Sequence, residues 1–122
     1  MIYYENIAVL DPALTDQEVT DATEKITSLI VKNGAEILKS ENWGKRNLAY
    51  EINKKKKGFY LFFVFRAPSD VIRKLEDFYK VFDPVFKFMV IKLGKKEIAA
   101  LLKALQAQEA AREKSEEGSQ VV

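Results

Sequence analysis

The stretch KKKKGFYLFFVF, residues 54–65, joins four lysines to a glycine and then to seven aromatic or aliphatic residues. The lysines and Gly58 are typical of a turn, and the apolar run predicts a buried β-strand. Side chains alternate across a strand, so one face carries Phe59, Leu61, Phe63 and Phe65 and the other carries Tyr60, Phe62, Val64 and Arg66. We assign the first set to the core, because the second contains a phenol and ends in an arginine.

Three further segments have strand character, and they are residues 2–10, 35–52 and 85–93. Asp11-Pro12 is a turn signal that ends the first of them. A glycine inside a strand pattern often marks a bulge, so we expect the second to be interrupted at Trp43-Gly44. In the last strand, we expect Met89 to fill part of the core.

Two helices separate these strands. Thr15 followed by Glu18 forms a capping box, in which each residue satisfies a backbone N–H of the other. This first helix closes at Asn33-Gly34. We expect the second helix to begin after Ser69, acting as its cap, and to end at Asp83-Pro84.

The resulting order is strand, helix, strand, strand, helix, strand. It predicts an α+β, ferredoxin-like split βαβ domain over residues 2–93, with a four-stranded antiparallel sheet and both helices on one face. The first and third strands are then central. Residues 94–122 form a C-terminal tail, which carries a short apolar helical stripe and is expected to be disordered from about Glu113.

The composition excludes several classes of function. The chain has no cysteine and no histidine, so we expect no disulfide, no zinc site, no cofactor and no ordinary general base. The start of the first helix, which favours acidic side chains, explains these residues better than a metal site does: Asp11, Asp16, Glu18 and Asp21. No apolar run is long enough to span a membrane, and the N-terminus lacks a basic start, so we expect a cytoplasmic protein. We also expect no small-molecule substrate.

The charge is concentrated between residues 45 and 57. This segment carries six basic residues and one acid, Glu51, for a local charge of +5. Clustered lysines neutralise phosphates and release counterions, which favours contact with a nucleic acid. A solvated turn is the alternative interpretation of the same lysines.

Two other functions fit the same fold. A free-standing RRM-like single-stranded RNA-binding module is one alternative, because Lys57, Gly58 and Phe59 match the start of its third-strand signature. It would stack bases on Tyr60 and Phe62. A small acyl-phosphate hydrolase is the other, although only Arg46 with Asn47 could then hold an anion and position water.

The stretch GKRNLAYEIN, residues 44–53, resembles the signature of the bacterial small-subunit ribosomal protein six family. The residues that fit the signature are Gly44, Arg46, Asn47, Leu48, Ala49, Tyr50 and Ile52. The resemblance covers about residues 2–93. It implies a non-catalytic protein that pairs with small-subunit ribosomal protein eighteen and binds ribosomal RNA of the central domain during subunit assembly.

The resemblance and the charge pattern together predict two sets of contact residues. The expected ribosomal RNA contacts are Lys45, Arg46, Lys54, Lys55, Lys56, Lys57, Lys87 and Lys92. The expected contacts with the partner protein are Trp43, Arg46, Asn47, Tyr60 and Phe62. We expect the strand that contains Trp43 to lie at the sheet edge, where a partner can dock.

Overall fold

The computed structural model describes residues 1–52 and 54–120, and it describes side chains up to residue 108. The elements are β1 (Ile2–Leu10), α1 (Asp16–Lys32), β2 (Glu36–Ile52), β3 (Lys55–Ala67), α2 (Asp70–Val81), β4 (Val85–Lys92) and α3 (Lys95–Gln120). The predicted order of strands and helices is therefore confirmed.

The sheet has the strand order β2-β3-β1-β4, and all neighbouring strands are antiparallel. β1 and β3 are central and β2 and β4 are the edges, as the ferredoxin-like arrangement requires. The sheet separates two environments, namely a face that packs against α1 and α2 and an opposite face, which we call the open face.

One face of β3 packs in the core, as its alternating sequence predicts. Leu61, Phe63 and Phe65 are at most 1% exposed and belong to the same apolar cluster as Ile26 of α1 and Leu75 of α2. The open face is not uniformly exposed, because Val64 is only 1% exposed. β3 thus buries apolar surface on both sides at its centre.

The two helix starts differ. At α1 the predicted capping box is present: the backbone N–H of Glu18 donates to Thr15 Oγ1 at 3.2 Å, and that of Thr15 donates to Glu18 Oε1 at 3.0 Å. At α2 the predicted cap is wrong, because Ser69 has helical backbone angles and its side chain makes no capping hydrogen bond. The backbone N–H of Val71 instead donates to the Pro68 carbonyl at 3.2 Å.

The chain divides into two units, Met1–Lys92 and Leu93–Val122. In the second unit, α3 continues to Gln120, past Glu113, where we expected regular structure to end. Its alanines, lysines, glutamates and leucines are strong helix formers, which explains the longer helix. Residues 121 and 122, also expected to be disordered, lie outside the described residues. Within the described part of the chain, no helix is both long and apolar enough to cross a membrane.

A buried chain of hydrogen bonds joins α2, β1 and β4. The Tyr79 hydroxyl donates to Asn6 Oδ1 at 2.5 Å, and Asn6 Nδ2 donates to the Met89 carbonyl at 2.9 Å. Asn6 is completely buried and Tyr79 is 2% exposed. Burial raises the pKa of Tyr79, while its hydrogen bond to Asn6 acts in the opposite direction. The phenol therefore stays neutral and acts as a donor that fixes α2 against the sheet.

We predict that Tyr79→Phe lowers the free energy of unfolding by about 1–3 kcal/mol, since it leaves the buried Asn6 oxygen without a donor. Urea denaturation measures this. Tyr50→Phe is the matched control, because Tyr50 is 67% exposed and should change stability by less than about 0.5 kcal/mol. Equal effects at the two positions would contradict the role of the buried hydrogen bonds.

Candidate nucleic-acid and protein interface

The β2–β3 hairpin extends beyond the rest of the sheet. β1 pairs with β3 only as far as Leu10 opposite Phe59, whereas β2 and β3 remain paired to Ile52 opposite Lys55. The pairing of β2 shifts register at three places, and one of them is the predicted interruption between Asn42 and Gly44. Gly44 has φ +77, a conformation that glycine adopts without strain.

The sequence motif lies in this hairpin and near its tip. Asn47 is opposite Lys57 and Ile52 is opposite Lys55, so Leu48, Ala49, Tyr50 and Glu51 bulge out of the ladder. The Tyr50 side chain is 67% exposed, and Lys87 of β4 lies 5.4 Å from the centre of its ring. An exposed aromatic residue within a motif is more readily explained by binding than by packing.

Three aromatic rings and one arginine are layered on the open face. The Trp43 ring is stacked on Phe62 with a centroid distance of 4.9 Å and lies nearly parallel to Tyr60 at 6.5 Å. The Arg46 guanidinium lies 4.9 Å from the Trp43 ring. Trp43 therefore covers the rings that an RRM-like module would offer to bases, so this alternative function is not favoured.

Hydrogen bonds hold Trp43 in this position. Its Nε1 donates to Glu41 Oε2 at 2.7 Å, while Lys39 Nζ is 3.0 Å from Glu41 Oε1. The hydrogen bond from Trp43, and next the one from Lys39, lower the pKa of Glu41. An ionised Glu41 thus fixes the orientation of the indole over Phe62.

Most of the predicted RNA-binding lysines gather at the hairpin end of the sheet. Lys54, Lys56 and Lys57 are exposed, and Lys54 occupies the turn with φ 63. Lys45 is also exposed, although its ammonium lies 5.1 Å from the Phe59 ring. Lys45 and Arg46 are opposite Phe59 and Gly58 at the base of the projecting hairpin, and together with the lysines of the turn they make up the cationic group of the hairpin.

Two predicted lysines are placed differently. Lys55 Nζ is 3.6 Å from Asp11 Oδ2 and 5.7 Å from the centre of the Phe86 ring, so it ties the hairpin to the end of the sheet. Lys92 is paired with Tyr4 at the far end of β4, five residues from Lys87. At about 3.3 Å per residue, the two lysines are about 17 Å apart along the strand.

The predicted partner contacts are partly brought together. Trp43, Tyr60, Phe62 and Arg46 form the layered group, whereas Asn47 is exposed opposite Lys57. Sequence reasoning missed the apolar residues of β1 and β4 on the same face.

The expectation for Met89 is wrong, because its side chain is 43% exposed rather than in the core. The sequence did carry a signal for this placement. Phe88 and Val90 pack on the core, so the alternation of side chains along a strand puts Met89 on the opposite face.

Known proteins resemble this chain over nearly all of the sheet domain. The family model described as ribosomal protein S6 matches residues 3–92. The small ribosomal subunit protein bS6 of Porphyromonas gingivalis is 41% identical over 106 residues, which cover 85% of this chain and 91% of the relative. The bS6 protein of Christiangramia forsetii is 38% identical over 96 residues, covering 79% and 86%. The crystal structure of 30S ribosomal protein S6 from Thermotoga maritima has a TM-score of 0.74 and 26% identity, covering 88% of this chain and 97% of that one.

We predict that the fluorescence of Trp43, the single tryptophan, reports the ionisation of Glu41. The pKa of Glu41 is lowered in the folded protein. Its contribution to stability is therefore complete above the ordinary glutamate pKa of about 4.3 and is lost as the pH falls through the lowered value. The emission should change in that acid range, and Glu41→Gln should abolish the change. Glu51→Gln is the control that should keep it; an unaltered transition in Glu41→Gln would contradict the assignment.

A second prediction concerns Gly58, where the hairpin leaves the sheet. An added Cβ would lie 2.5 Å from Val9 Cγ1 and 3.2 Å from the Leu10 carbonyl oxygen. Gly58→Ala should therefore cost about 1–3 kcal/mol in urea denaturation, as overpacking does. Gly94→Ala is the control, since the nearest atom there is 3.7 Å away. If both variants unfold at the same urea concentration, the close approach at Gly58 is not important.

Proposed function

We propose that this chain, which belongs to the ribosomal protein S6 family, pairs with small-subunit ribosomal protein eighteen and that the pair binds ribosomal RNA of the central domain. Family membership makes the chain a non-enzymatic structural component of the small ribosomal subunit. Its site of action, by the same proposal, is the ribosome in the bacterial cytoplasm, where the pair supports assembly of the subunit and hence translation.

The observation that carries the RNA part of the proposal is the cationic group of the hairpin. Lys54, Lys56, Lys57 and Arg46 are exposed, and no ion pair involves them among the described residues. Their charges are therefore available to phosphates, which supply most of the affinity of sequence-independent RNA binding. Lys55 has a supporting role, because its contact with Asp11 positions the tip instead.

The layered aromatic group next to the tip supports the protein part of the proposal. Trp43, Tyr60 and Phe62 are only half-buried, and they offer a flat apolar surface beside the cations. Partner contacts of high energy are enriched in tryptophan, tyrosine and arginine. Register shifts twist an edge strand and disfavour pairing with another strand. We therefore expect the partner to contact the side chains of β2 rather than extend the sheet along it.

Binding to a central-domain RNA fragment, measured over a series of salt concentrations with the partner protein present, tests the proposal. Replacing Lys56 and Lys57 by glutamine should weaken binding and reduce the slope of log K against log salt by about 0.7–0.9 for each contact removed. The slope, unlike a single affinity, reports the number of phosphates neutralised.

The matched control is the replacement of Lys32 and Lys80, exposed lysines on α1 and α2, by glutamine. It changes the net charge equally and should leave the slope unaltered. If both double variants change the slope alike, only the total charge matters and the hairpin is not the RNA contact. If the RNA binds this chain equally well without the partner protein, joint recognition fails.

A further inference from the structure

A small pocket opens on the sheet beside the layered aromatic group. It has a volume of about 200 Å³ and is lined by Ile7, Val9, Tyr60, Lys87, Phe88 and Met89. Pockets for small-molecule ligands usually measure about 300–1,000 Å³, so this one is of a size for a single side chain. Its residues come from three adjacent strands, β1, β3 and β4.

The chemistry of the lining is mostly apolar with one charged rim. Ile7 and Val9 lie on β1, and Tyr60 is the residue of β3 opposite Val9. Lys87 is opposite Val9 on the other side, and its ammonium lies over the Tyr50 ring. The pocket thus offers an apolar interior next to a cation and exposed aromatic surface.

We propose that this pocket receives one apolar anchor side chain of the partner protein, from a segment that also brings a carboxylate to Lys87. The inference rests on the proposed function, because it identifies how the same partner is held. The charge of Lys87 favours an acidic neighbour of the anchor, and the apolar interior favours an aromatic or branched aliphatic side chain. Such anchors, seated in a pocket, dominate the energy of protein interfaces.

A nucleobase fits the pocket less well. Base recognition combines stacking on an open ring with hydrogen bonds to the base edge. Trp43 lies nearly parallel to Tyr60 at 6.5 Å, and Lys87 already lies over Tyr50. Apart from Tyr60 and Lys87, the side chains on this face of the pocket are those of Ile7, Val9 and Met89, which are apolar and cannot pair with a base edge.

The test compares Met89→Glu with Ile91→Glu. Both residues are on β4, both face the open side, and they are 43% and 45% exposed, but only Met89 lines the pocket. Affinity for purified small-subunit ribosomal protein eighteen is measured by calorimetry without RNA, and circular dichroism checks the fold of each variant. We expect Met89→Glu to weaken the pair at least about tenfold and Ile91→Glu to change it less than about threefold, as for an anchor and a peripheral contact.

Lys87→Met provides a second, independent measurement. It removes the charge and keeps an unbranched stem, so it should weaken the pair and flatten its dependence on salt. Unchanged salt dependence would overturn the carboxylate contact.

The outcomes separate this inference from the proposed function. If the natural chain does not bind the partner, both fail. If the natural chain binds and Met89→Glu binds with the same affinity, the pocket is not the anchor site, although the partnership stands. The same conclusion follows if Ile91→Glu weakens the pair as much as Met89→Glu does. If Met89→Glu leaves the pair intact and weakens only binding to the RNA fragment, the occupant is a base and the inference is overturned.

Discussion

The position of the β2–β3 hairpin depends on β3, a strand that buries apolar side chains on both of its faces. β3 lies between β1 and β2, and its Phe63 and Phe65 are completely buried against the helices. On the opposite face, Phe62 is covered by Trp43, which extends from the irregular edge strand. Because β3 is held on both sides, its continuation beyond β1 can project the hairpin as an ordered extension. The surface that carries the motif is thus positioned by a central strand that is buried on both faces.

Local signals predicted the fold well, because alternation and capping depend on neighbouring residues. The faces of β3 and the capping box at Thr15 follow from such patterns. The role of Lys55 could not be predicted, since its contact with Asp11 depends on two segments far apart in the sequence. Ser69 also had the right residue type for a cap, but the Pro68 carbonyl accepts the N–H bond there instead. Charge and composition identify a candidate interface; tertiary contacts decide which of its cations are free.

The open face has two ends with different character. Arg66 forms an ion pair with Glu36, and Lys39 pairs with Glu41 on the same side of the sheet. Glu36, Lys39 and Glu41 lie on the first half of the edge strand β2, where charges discourage pairing with another sheet. Beyond Glu41 the side chains become aromatic and then cationic towards the tip. This distribution of charge and aromatic surface agrees with the proposal that the partner protein binds one end of the face and that RNA binds the adjoining hairpin.

The buried polar chain gives the proposed pocket its rigidity. Asn6 donates to the carbonyl of Met89, and Tyr79 in turn donates to Asn6. The backbone of the pocket residue Met89 is thus fixed from the core side, while its side chain points to the open face. A preformed pocket requires little ordering when an anchor enters, and this increases affinity without additional contacts. Asn6 is a costly polar residue in an apolar core, and its hydrogen bonds to Tyr79 and to the Met89 carbonyl hold β4 in place beneath the proposed docking surface.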